Sequence, residues 1–265
     1  MFYKKPIQIL CLTLLCTLLF NLCLFFQTTQ QTVNLKVSSR PIALVYRGPA
    51  GCIDCSEPVA NMLRTSAYHF DVRYVGPNET LKLVPSSFQG VTLYAQPGGD
   101  TNTSRAFKSL GKTGQDAIVS FVKNGGRYLG ICQGAYLAGN YFTGLSLLSP
   151  GNAKQYIKTK GALIKSEKPA VLPIKYGFKR FYMYFQDGAY LLPSGVPGEK
   201  ILARYTNGKV AALTRPVGLG RITVIGPHPE APNSWYRDDN LCPKHPTAKD
   251  GHLANFLLKS LLSSN

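Results

Sequence analysis

Acidic residues are scarce in this 265-residue chain: 13 Asp and Glu stand against 30 Lys and Arg, a formal net charge of +17. Such an excess calls for an anionic partner, and nucleic acid is the first to consider. The cations are scattered, however, and residues 154–180 interleave them with Gly, Pro and aromatics in no recognisable nucleic-acid motif. Nucleic acid is therefore not expected as a partner. An exported domain facing anionic envelope polymers or lipid headgroups would carry the same charge. Internal repeats and low-complexity blocks are absent too, which excludes a solenoid or a biased, unpacked tract. Metal ligands run short: Cys52-Ile53-Asp54-Cys55 supplies two sulfurs, but no further pair at suitable spacing completes a site. No metal and no cofactor is expected.

A small-residue cleavage site is also missing, since Gln27-Thr28-Thr29-Gln30-Gln31-Thr32 has no Ala-x-Ala-like pattern. It follows an uncharged stretch at 7–26, rich in Leu and Phe, behind Lys4 and Lys5. About twenty such residues suffice to span a bilayer as a helix, and the cations predict that the amino end stays cytoplasmic while the rest is exported. Residues 1–26 are expected as an uncleaved signal anchor, with a removed signal peptide and a periplasmic or secreted protein as the alternative. The polar 27–40 reads as a tether. Residues 41–265 are long enough for one sizeable core and too short for two ordinary domains.

Of seven cysteines, Cys11, Cys16 and Cys23 fall in the apolar segment and act as small apolar residues. In an oxidising compartment a disulfide is expected among Cys52, Cys55 and Cys242; Cys52 with Cys55 is the simplest choice, and the pairing is otherwise open. The remaining one, Cys132, stands in a motif.

Strand-like and helical runs alternate from residue 42 onward. Strands are predicted at 42–46, 71–75, 91–95 and 128–131, with helices at 57–65, where Ser56 is a candidate cap, at 114–124 and at 133–141. This alternation predicts an α/β fold, a mostly parallel sheet with helices on both faces. From about residue 160 the pattern changes to short strands at 181–185, 201–205, 210–214 and 222–225. These read as an antiparallel hairpin extension that rejoins the sheet, closed by a helix at 247–262.

Three loops at strand ends carry chemistry. Gly130-Ile131-Cys132-Gln133-Gly134 directly follows an apolar run, a strand–nucleophile–helix elbow with cysteine at its centre. The glycines leave room for strand and helix to pass, and Cys132 is expected at positive φ beside the first amides of the helix, which favour thiolate. Gly226-Pro227-His228-Pro229-Glu230 follows a second apolar run. Pro229 holds His228 extended, so Glu230 lies on the same side and can orient the imidazole. A base and its orienter from one loop complete a Cys132–His228–Glu230 triad. Gln96-Pro97-Gly98-Gly99-Asp100 ends a third run, and amides at Gly98 and Gly99, with that of Gln133, are candidate oxyanion donors. In open α/β sheets such loops share the carboxyl edge, where ligands bind.

These loops, with Tyr46-Arg47-Gly48-Pro49 and Tyr184-Phe185-Gln186-Asp187-Gly188-Ala189-Tyr190, resemble the class I glutamine amidotransferase-like superfamily, and within it the biotin–protein ligase amino-terminal domain family. The likeness runs over roughly residues 40–262. It implies a three-layer flavodoxin-like fold, with Cys132 as nucleophile, His228 as base and Glu230 as its partner. No attached synthetase or ligase segment is evident, so neither ammonia channelling nor biotin transfer is expected.

Three functions remain open: an exported thiol hydrolase acting on a small-molecule or peptide amide, a non-catalytic binding or regulatory module, and a glutaminase subunit serving a separate synthase. An intact triad favours the first over the second. The membrane segment weighs against the third.

Overall fold

The computed structural model describes residues 40–99, 102–139, 142–241 and 252–263. The signal anchor at 1–26, most of the tether and Cys242 lie outside the described residues. Among the described residues no helix is long and apolar enough to cross a membrane.

Among the described residues eleven strands form one sheet. Its first half is parallel, in the order β2 (Asp71–Val75), β1 (Ile42–Tyr46), β3 (Val91–Gln96), β4 (Arg127–Ile131) and β11 (Gly220–Ile225). Beyond β11 every pairing is antiparallel: β10 (Val210–Val217), β9 (Lys200–Tyr205), β6 (Ala170–Tyr176) and β7 (Lys179–Phe185). Two three-residue strands, β5 (Ala153–Gln155) and β8 (Ala189–Leu191), pair with one another and attach to β10.

The parallel strands are apolar on both faces because both are covered. Side chains alternate across a strand. Ala43, Val45, Leu93, Ala95, Leu129 and Ile131 therefore pack with helices α1 (Ser56–Thr65) and α6 (His252–Leu262) on one side. Leu44, Tyr46, Tyr94 and Tyr128 pack on the other side with α2 (Thr103–Ser109), α3 (Gly111–Lys123) and α4 (Gln133–Gly139). Three layers result. Buried tyrosine hydroxyls on the second face are satisfied near the ends of the strands: Tyr128 donates to the Gly134 carbonyl in α4 at 2.7 Å and Tyr94 to Oε1 of Gln96, the last residue of β3, at 2.6 Å. Gln96 Nε2 in turn donates to the Ala50 carbonyl at 2.8 Å. The sheet's carboxyl edge is thereby tied to the loops that carry the chemistry.

Two local expectations change. Ser56 does not cap α1; its hydroxyl donates to the Tyr46 carbonyl at 2.8 Å, and the helix starts at Ser56 itself behind Cys55. The α3 helix begins at Gly111, three residues earlier than the periodicity predicts, because α2 runs almost directly into it.

Candidate active site

Cys132 directly follows β4 with φ 50°, left-handed backbone that a non-glycine residue adopts only when its surroundings hold it there. A Cβ at Gly130 would sit 2.6 Å from the Gly134 carbonyl oxygen, and one at Gly134 would run into the Gln96 carbonyl. Both glycines are thus required by close approach of strand, turn and helix. The Cys132 amide donates to the Ile225 carbonyl at 2.9 Å, carrying the β4–β11 pairing one residue past the strand. That bond sets the sulfur beside the strand that delivers the histidine three residues later.

His228 is buried, and its amide donates to the Tyr184 carbonyl at 2.9 Å in a single antiparallel bridge to the end of β7. Its Nδ1 meets Glu230 Oε1 at 2.8 Å, and the Glu230 carboxylate is wholly buried. With Nδ1 taken, Nε2 is the ring nitrogen left to face the Cys132 sulfur, whose influence the imidazole feels. Burial alone pulls the imidazole pKa down. The Glu230 carboxylate and the Cys132 sulfur more than offset this and hold it up, to about 10. Aromatic rings box the imidazole edge-on, with Trp235 at 5.4 Å and Tyr184 at 5.7 Å between centroids.

The turn after β3 closes the site from a third side. A Cβ at Gly98 would lie 2.7 Å from His228 Cε1, so this glycine gives the imidazole its room. The Gly98 carbonyl accepts from the Cys52 amide at 3.0 Å. Cys52 and Cys55 are joined in a disulfide, Cα atoms 5.1 Å apart, and Cys55 Sγ packs against the same glycine. Gly99 lies at the rim with Cys132 and Gln133. The three candidate oxyanion residues thus divide: Gly99 and Gln133 border a cavity with Cys132, while Gly98 leaves room for the His228 ring.

Two cavities meet at Cys132. One, of about 510 Å³, is lined by Gln133, Tyr136, Gln155, Lys158, Asp187 and Tyr190, among others. The second, of about 410 Å³, is walled by the disulfide, Tyr184, His228, Trp235 and Asp239. Gly99, Cys132 and Gln186 border both. The Cys132 sulfur stands 3.5 Å from the Gln186 carbonyl oxygen, and Asp187 follows with φ 47°, a second left-handed residue at the same site. Gly188 permits this, because a Cβ there would strike the Gly226 carbonyl in the histidine loop. Burial raises the Asp187 carboxyl above its ordinary range, against the Gln155 amide that donates to it at 2.9 Å.

Gln155, Asp187 and Trp235 were not singled out by motif reasoning; Tyr184, Gln186 and Asp187 were visible only within the segment that carried the resemblance. Among the described residues no group of three His, Cys, Asp or Glu side chains is arranged to hold a metal ion.

The family model described as biotin-protein ligase, N terminal, matches residues 42–143, which take in Pro97, Gly98, Gly99 and Cys132 and end before His228. No curated protein matches the chain. Among solved structures, a glutamine amidotransferase is similar at a TM-score of 0.55 and 14% identity, covering 82% of this chain and 98% of its own. PurLQS from Thermotoga maritima is similar at 0.55 and 15%, covering 84% and 98%. A second glutamine amidotransferase, also from Thermotoga maritima, gives 0.54 and 16%, covering 84% and 96%. Over residues 42–143 the chain resembles the biotin–protein ligase N-terminal family, and its fold is that of the class I glutamine amidotransferases.

Proposed function

We propose that this protein is a thiol hydrolase that cleaves an amide bond through an acyl-cysteine. The observation that carries the reading is the buried chain of contacts from Cys132 to His228 to Glu230, with the sulfur on a left-handed elbow between two cavities. A structural cysteine needs neither the elbow nor a buried, oriented imidazole.

The chemistry follows from these groups. The Cys132 sulfur attacks the carbonyl carbon, and a C–S bond forms as the carbonyl oxygen takes up negative charge. The amides of Gly99 and Gln133, which border the cavity beside Cys132, are assigned as its donors. The C–N bond then breaks, and imidazolium His228 gives its proton to the leaving nitrogen. Water, losing a proton to His228, releases the acyl group as a carboxylic acid and restores the thiol. Glu230 fixes the ring and stabilises the imidazolium without giving up a proton itself.

The glutaminase reading keeps a place because the similar structures include proteins titled glutamine amidotransferase. It requires ammonia as the leaving group. The exported location, with the chain anchored by residues 7–26, is supported by the Cys52–Cys55 disulfide, since such bonds persist in oxidising compartments.

The test is turnover of a mixed amide and dipeptide library by the full-length chain, read by mass spectrometry. Hydrolysis that disappears in a folded Cys132→Ser variant is expected. Turnover retained in that variant would remove Cys132 from the mechanism, and release of ammonia from glutamine alone would favour the glutaminase.

A further inference from the structure

Resting on the thiol hydrolase reading, we infer that the amide lies across Cys132 with its acyl half in the 510 Å³ cavity and a leaving amine of residue size, bearing an aromatic or similarly flat apolar group, in the 410 Å³ cavity. The substrate is then an internal or substituted amide and not a primary amide that releases ammonia.

The direction is set by the proton. The leaving nitrogen must come within about 3 Å of the group that protonates it. That group, His228, lines only the smaller cavity, so the amine half points there. Ammonia occupies about the volume of a water molecule, roughly 30 Å³, which is more than ten times less than this space. Trp235, half-buried, and Tyr184, with ring centroids 5.2 Å apart, and the disulfide form the apolar part of its walls, beside the carboxylates of Asp54, Asp238 and Asp239. A flat apolar group fits such walls.

The other cavity differs in kind. Gln133, Gln155, Lys158 and Asp187 line it, bringing amide, ammonium and carboxylate groups to its walls. Lys158 stands exposed at the rim. The acyl half is therefore the polar one.

The experiment needs no knowledge of the natural substrate. Full-length protein is treated with N-substituted chloroacetamides in which the nitrogen carries hydrogen, ethyl or benzyl. Cys132 displaces chloride, a C–S bond forms, and peptide mass mapping follows alkylation at Cys132 alone. Rates are normalised to those of glutathione. Burying a benzyl group predicts a preference of about tenfold or more over the unsubstituted probe. The ratio should collapse below about threefold in Trp235→Ala, survive in Trp235→Phe, and survive in Tyr190→Ala on the opposite cavity. A wild-type ratio near one, or a ratio unaffected by Trp235→Ala, overturns the inference while leaving the nucleophile standing. Loss of the ratio in Tyr190→Ala instead would mean the two halves are reversed. Failure of any probe to alkylate Cys132 in folded protein would bring down the hydrolase reading itself.

Discussion

The two halves of the sheet do different work at the same site. The parallel half ends in three loops that hold the groups proposed to react: Gly98 and Gly99 after β3, Cys132 after β4 and His228 after β11. The antiparallel half supplies none of these, yet at the end of β7 Tyr184 walls the smaller cavity, Asp187 the larger and Gln186 both, and Tyr184 anchors the histidine loop through its bridge to His228. Each half contributes one left-handed residue, Cys132 and Asp187, and each is followed closely by a glycine that permits close approach. Chemistry thus rests on local strand–turn motifs, while the shape of the site rests on long-range pairing.

That division predicts where substitutions act. In the parallel half, His228→Ala should lower the rate constant for amide cleavage by on the order of 10³-fold or more, through loss of the acid–base group. Glu230→Gln should cost about tenfold less, since it orients the ring and transfers no proton. Equal or reversed losses in steady-state kinetics would mean the roles are exchanged. Gly98→Ala puts a methyl group where only 2.7 Å separates it from His228 Cε1. A displaced imidazole should cost about a hundredfold in kcat, with melting temperature changed little.

In the antiparallel half, Asp187→Asn should act on binding: about a tenfold rise in KM for polar acyl groups with kcat held within threefold. A loss confined to kcat would erase the distinction between the halves. A further prediction concerns stability against pH. The imidazole pKa is about 6.5 in the unfolded chain and about 10 in the fold. Its contribution to stability is full below about pH 6.5 and disappears as pH rises towards 10. Over that window the melting temperature of the wild type should fall more than that of His228→Ala, as scanning calorimetry would record; parallel curves would show that the ring gains no charge on folding.

Much of the parallel half was legible because its signals are local. An apolar run followed by Gly-x-Cys-x-Gly or by His-Pro-Glu needs only neighbouring residues to state its geometry, and the predicted bounds of β1 and β2 coincide with those observed. The rest depends on contacts that no short window contains. β6 holds Pro173, which argues against a strand within a sheet, yet it pairs through seven residues with β7. The Asn102 side chain accepts the Arg105 amide at 2.9 Å and starts a helix that the apolar pattern did not reveal. Trp235 reaches the site on a six-residue helix, α5 (Asn233–Asp238), too short to leave a periodic trace.

The central claim is that Cys132 acts as a nucleophile paired with the His228 imidazole. It is tested most directly by the rate at which iodoacetamide alkylates Cys132 at pH 6, followed by peptide mapping in the wild type and in His228→Ala. With His228 beside the sulfur to take its proton as the C–S bond forms, the wild type should react at least about tenfold faster than glutathione and lose that advantage in the variant. A rate equal to that of glutathione, unchanged by removal of His228, would contradict the account.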